Sequence, residues 1–156
     1  MSRLAAVLLG ISGVWMLITP SAAIASPDQD KVWVRVDTDA AVTEVWRGDQ
    51  RLMRLDDVAF GRGGISDLHF RGDQTTPRGE FRITRFNQES RFHIFIGINY
   101  PTLAHLDAAR QRGAMTEAEY SDALQIGLEH GEFPQDGTLG GHIGFHGIGN
   151  GNPAIH

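Results

Sequence analysis

Short runs in which apolar and polar side chains alternate, each closed by a turn signal, constrain this chain more than any other feature. Val32 to Asp37 (VWVRVD) alternates with period two. Val42 to Trp46 repeats the pattern, Gly48-Asp49 marks a turn, and Arg51 to Leu55 follows as a third run. Successive side chains of a strand point to opposite faces, so such runs read as strands, and three in close succession read as a β-meander. The tryptophans within it are read as face-packing residues. Glu80 to Phe86 (EFRITRF) alternates again, with Phe81, Ile83 and Arg85 on one side and Arg82, Thr84 and Phe86 on the other. His93 to Ile98 (HIFIGI) is a further strand.

Two segments break the period. Leu103 to Arg112 has helical character and ends at Gly113, a residue suited to the position just past a helix. Thr116-Glu117-Ala118-Glu119 is a capping box, with Thr at the N-cap and Glu119 three positions on. Tyr120, Ala123, Leu124, Gly127 and Leu128 then share one helical face, and Gly131 and Pro134 stop the helix. Ala59 to Gly79 is rich in Gly, Asp, Thr and Pro and is read as a long loop. Structureless loops of that length in compact domains are commonly functional. The expected class is mainly β, with a two-helix insertion between strands. No internal repeat or low-complexity segment is present.

The N-terminus reads as a signal peptide over residues 1–25. Arg3 supplies a positive n-region, Leu4 to Ile18 an apolar h-region, and Ala23-Ile24-Ala25 an A-x-A cleavage site. The apolar run falls short of the ~20 residues a membrane-spanning helix needs. The expected product is therefore an exported chain, in the periplasm or cell envelope, with no transmembrane segment after cleavage. Residues 26–156 suit a single domain. A net charge of −5 without a Lys/Arg cluster argues against a nucleic-acid partner, whose affinity rests on phosphate neutralisation. Export permits disulfides, yet the chain has no Cys, so its core alone must hold it.

Leu139 to Phe145 (LGGHIGF) is glycine-rich, which disfavours a helix. Read as extended, it puts His142, Gly144 and His146 on one face, and its glycines leave the backbone beside His146 approachable. Many strands carry a histidine without function, so His146 alone says little. Its companions say more. Gly72-Asp73-Gln74-Thr75-Thr76-Pro77-Arg78-Gly79-Glu80-Phe81 resembles the GD-x-x-TP-x-G-x-F motif of the L,D-transpeptidase (YkuD/ErfK) catalytic domain. Asn99-Tyr100-Pro101, Leu139-Gly140-Gly141 and Ile143-Gly144-Phe145-His146-Gly147 resemble that family's later motifs, in the same order. The resemblance runs from about Val32 to the last residue.

The resemblance implies a twisted β-sandwich or partly closed barrel. It also implies acyl transfer between peptidoglycan stem peptides, with no cofactor. In this family a Cys thiolate attacks the peptide bond after an L-centre and releases the terminal D-residue. The amine of a second stem then takes the acyl group. His146 occupies the place of the family's base for that thiol. Gly72, Asp73, Thr76, Pro77, Arg78, Gly79, His142 and Gly147 fall at its substrate-binding motifs. The family's Cys, in a Ser/Thr-x-Gly-Cys motif, follows the His by one to two dozen residues; here ten residues follow, none of them Cys. Ser66, Ser90 and Ser121 lie outside the motifs. The expectation is a C-terminally incomplete transpeptidase domain, inactive as written, with an unpaired sheet edge. A non-catalytic peptidoglycan-binding module is the alternative. A metal site from His142, His146 and His156 is a third reading, disfavoured because i and i+4 stand ~13 Å apart on a strand.

Overall fold

The computed structural model describes residues 30–147. The leader expected over residues 1–25 and the ligand candidate His156 lie outside the described residues. Three strands, β1 (Val32–Asp37), β2 (Val42–Arg47) and β3 (Gln50–Leu55), form the expected antiparallel meander, with a bulge between Val45 and Trp46. The register puts Trp33, Arg35, Glu44 and Trp46 on one face. There the two indoles stack at 5.4 Å. Glu44, buried to 3% exposure, pairs with Arg35 (3.5 Å), Arg51 (2.7 Å) and Arg54 (3.5 Å). The Arg51 hydrogen bond leads the contributions that hold its carboxyl below the usual range, against the opposing effect of burial.

The predicted long loop contains structure that its composition hides. Ile65–Ser66 (β4) and Thr76–Pro77 (β5) form a short parallel pair. The next strand, β6 (Ile83–Ser90), starts three residues later than the alternation suggested and runs four residues further. Asn99 accounts for the late start. Its side chain accepts from the Arg82 amide at 2.7 Å, and its own amide donates to the Arg82 carbonyl at 3.0 Å. A side chain thus stands in for one rung of the ladder. β6 pairs with β7 (His93–Ile98).

Helices α1 (Leu103–Gln111) and α2 (Glu117–His130) follow β7, as the caps predicted. Gly113 (φ 68°) and Gly131 (φ 75°) adopt the left-handed conformation that ends a helix without a Cβ penalty. Tyr120, Ala123, Leu124 and Gly127 face inward as expected, but Leu128 is 88% exposed. It lies at the margin of the apolar arc, where α2 has already left the core. Strand β8 (Gly144–His146) closes the order β6-β7-β8. The extended run expected from Leu139 is therefore confined to three residues. Gly140 (φ 66°) and His142 (φ 56°) turn the backbone out of the β region before it.

The core gathers around the helices: Leu68, Ile98, Tyr100, Leu106, Ala109, Met115, Ala123 and Leu139 are buried together, with Phe81, Phe133 and Phe145 against them. Among the described residues, β1–β3 touch no strand or helix outside their own sheet, and the three sheets do not join into a closed barrel. The architecture of the described residues is strand-rich, with two helices inserted between β7 and β8.

Candidate functional site

The site is built on the β6–β8 sheet. Phe95 pairs with His146 and Gly97 with Gly144, while Arg85 pairs with Gly97 across the other ladder. Directly paired residues of antiparallel strands share a face, so Arg85, Phe95, Gly97, Gly144 and His146 lie together. His146 is exposed. Its ring stacks on Phe92 at 4.2 Å and lies parallel to Phe95 at 6.4 Å. Its Nδ1 is 2.9 Å from the Gly147 carbonyl, an acceptor, so Nδ1 is the donor there, and in the neutral ring Nε2 then presents the lone pair. The backbone beside His146 is closely approached, as the glycines suggested. The Phe95 ring covers it, with Cζ 2.8 Å from where a Cβ of residue 144 would stand.

His142 lies off this row. Its amide donates to Gln135 Oε1 (3.0 Å), and its ring sits 3.5 Å from Asp136. The extended run that put His142, Gly144 and His146 on one face fails at residue 142. Among the described residues, no group of three His, Cys, Asp or Glu side chains could hold a metal ion.

The Gly72–Phe81 loop folds around its own polar groups. Asp73 accepts from the amides of Phe70 and Thr75 (both 2.8 Å) and from the Thr75 hydroxyl (3.0 Å). Burial pushes its pKa up, but those donors, with His69 beside it, outweigh burial and hold it below the ordinary value. The Thr76 hydroxyl accepts from the Gly61 amide at 2.8 Å, and Pro77 is buried. Gly72, Arg78 and Gly79 are exposed, as is Gly147. Gly79 has φ 151°, open to glycine alone. β5 and β8 do not touch. The residue just before the loop meets the approach to β8: the Arg71 amide donates to the Thr138 carbonyl at 3.1 Å.

A groove of about 490 Å³ runs between α2 and residues 134–139, with Arg71, Glu119, Asp122 and Asp136 at its walls. It contains neither His146 nor residues 72–79. The β6–β8 face presents an imidazole beside two aromatic rings, whereas the groove is a cleft between a helix and a loop with three carboxylates at its walls.

Comparison with protein families matches residues 31–155 to YkuD, the L,D-transpeptidase catalytic domain. The chain belongs to the YkuD family. No match was found among curated proteins or among solved structures. YkuD domains act on peptidoglycan peptides, and in this one two further histidines hold the motif loop.

His69 is 8% exposed. Its Nδ1 lies 2.8 Å from Asp73 Oδ1 and 2.9 Å from the Thr75 carbonyl. Both are acceptors, so Nδ1 is the protonated nitrogen. Its backbone clasps the Tyr100 hydroxyl, which accepts from the His69 amide (2.9 Å) and donates to its carbonyl (2.6 Å). Burial pushes that phenol up to about 12.

His105, third residue of α1, clamps the other end. Its Nε2 donates to the Arg78 carbonyl (3.1 Å) and its Nδ1 accepts from the Thr102 hydroxyl (2.7 Å). Burial lowers its pKa. Sequence reasoning passed over both residues. The signal for His69 was its place just before the Gly-Asp pair; a histidine at a capping-box position was the signal for His105.

Proposed function

We propose that this YkuD domain binds peptidoglycan stem peptides over the His146 face of the β6–β8 sheet, with His146 as the base for a cysteine-dependent acyl transfer. The observation that carries the reading is the hydrogen bond between His146 Nδ1 and the Gly147 carbonyl, 2.9 Å. A carbonyl holds the Nδ1 proton, the ring is braced by Phe92, and Nε2 is left to take a proton from a nucleophile. In the family's reaction the thiol loses its proton to the base, sulfur attacks the carbonyl carbon, and the C–N bond breaks as the terminal D-residue leaves with a proton. The amine of a second stem then displaces sulfur. Residues 1–156 hold no thiol, so on their own they bind and position but do not transfer.

Arg78, Gly72, Gly79, His142 and Gly147, all exposed, are assigned to the peptide. Asp73, Thr76 and Pro77 are assigned to shaping the loop that presents them. A wall-binding module without catalysis is the second reading. Residues 1–25 support an exported chain working in the cell envelope. No helix among the described residues is long and apolar enough to cross a membrane. The exposed apolar side chains of β3 and β6, among them Met53 (53%), Leu55 (50%) and Phe86 (69%), support a sandwich or partly closed barrel, an arrangement that would cover them.

Retention on purified sacculi tests the binding claim. The chain is expected to sediment with them, and the double variant His146→Ala, Arg78→Ala to be retained about tenfold less, the loss expected when charged hydrogen-bonding groups are removed. Equal retention of the variant would mean nonspecific adhesion and end the reading.

A further inference from the structure

We infer that Arg85 is a specificity-determining residue that binds the terminal carboxylate of the donor stem. This deepens the reading of the His146 face as the peptide site and rests on it. Arg85 shares that face through the paired row Arg85, Gly97, Gly144. Its guanidinium lies back across Gly97, where a Cβ would stand 2.7 Å from Nε. The glycine at 97 thus lets the cation rest one strand from His146 rather than two. The side chain is 32% exposed, so it is partly drawn out of water.

Its donors are underused. Gln135 Oε1, at 3.1 Å from Nη2, is the one hydrogen-bond acceptor of the guanidinium among the described residues, and Glu132 makes an ion pair with Nη1 at 3.7 Å, too long for a hydrogen bond. A guanidinium offers five N–H groups in a planar fork that matches a carboxylate. Gln135 fixes the orientation of that fork, because its amide nitrogen is itself tied to the Tyr100 carbonyl at 2.8 Å.

The spacing selects the ligand. From His146 to the place above Gly97 is one strand across and two residues along, about 8 Å. In a stem peptide the attacked carbon and the terminal carboxylate carbon are separated by one residue, at most roughly 4 Å. A base acting through a nucleophile sits roughly 6 Å from the attacked carbon. A peptide with its acyl carbon near His146 therefore brings its terminal carboxylate to Arg85. Phe95, between the two, forms the floor under the departing residue.

Calorimetric titration of the full chain tests this, using a tetrapeptide stem ending in D-alanine and the same stem with a C-terminal amide. The free acid is expected to bind about tenfold tighter than the amide, the ratio of one charge-assisted pair. Arg85→Gln should bind both equally, at the amide's affinity, and Arg85→Lys should retain part of the preference. The acid–amide comparison on the unaltered chain needs no variant to fold. Equal binding of acid and amide by that chain, or an undiminished preference in Arg85→Gln, overturns the assignment of Arg85 while leaving the stem-peptide reading intact. Binding of neither peptide overturns the stem-peptide reading and the inference with it.

Discussion

His105 shows how one side chain sets a pH dependence. Its two partners fit only the neutral ring: Nε2 faces a carbonyl, and Nδ1 faces the Thr102 hydroxyl and amide. Protonation would set a donor at Nδ1 against the Thr102 amide, and burial adds to the penalty. The folded pKa lies below the unfolded value of about 6.5. Stability from this residue is therefore present above that pH and is lost as pH falls through the folded value. The drop in melting temperature from pH 7.5 to 5.5 should shrink in His105→Gln; an unchanged drop would assign the effect elsewhere. Tyr100 is fully buried, and its hydroxyl holds both polar groups of His69. Tyr100→Phe leaves both without that partner and should cost about 1–3 kcal/mol in urea denaturation. A loss below ~0.5 kcal/mol would show that the clasp is redundant. Beyond the place of His69 near the Gly-Asp pair and of His105 at a capping-box position, neither histidine was legible as a loop holder, because the loop carbonyls they bond are brought near by folding and no period records such contacts.

At the scale of elements, what could be read was what local chemistry decides. The Thr116 cap is one case. Its amide donates to Glu119 at 2.8 Å, and the Thr138 hydroxyl adds a second bond at 2.7 Å. The Thr116 amide leads the donors that lower Glu119 to about 2. Its stabilisation is present above the unfolded carboxylate range and is lost as pH falls toward about 2. Glu119→Gln should flatten the acid limb of the stability profile between roughly pH 4.5 and 2, and an unaltered limb would contradict the cap's part in it. The failures were those of long-range competition. The strand expected from Leu139 was broken because Gln135 captured the His142 amide, and a Cβ on Gly141 would stand 2.6 Å from Gln135. Leu128 was assigned to a buried face by spacing alone, but the core ends before it reaches there. Leu128→Lys should change stability by no more than ~0.5 kcal/mol. Gly144→Ala, by contrast, drives a methyl into the Phe95 ring and the β7 backbone, and should destabilise by about 1–3 kcal/mol or more.

In the whole molecule, stability and function divide unevenly. The buried cluster surrounds the helices and the end of β7, whereas β1–β3 stand apart from it, held by their own pairing, the Glu44 cluster and the burial of Val42 and Thr43. Local stability follows buried contacts. Amides paired within β1–β3 should therefore exchange about two orders of magnitude faster than those of α1 and β7; equal protection would show that the meander is held by the same cooperative unit. The His146 face lies at the edge of the protected part, braced by Phe92 and Phe95 and served by Arg85. In the proposed reading that face binds and positions a stem peptide, and residues 1–156 hold no thiol for His146 to activate. Loss of the nucleophile from such a unit lowers turnover by up to roughly 10⁶-fold. The direct measurement is mass spectrometry of tetrapeptide stems after incubation with the 156-residue chain, reading free D-alanine and the cross-linked dimer. The prediction is intact stems at the level of a protein-free control. Release of D-alanine with formation of the dimer would contradict the account, because no cysteine could have carried the acyl group.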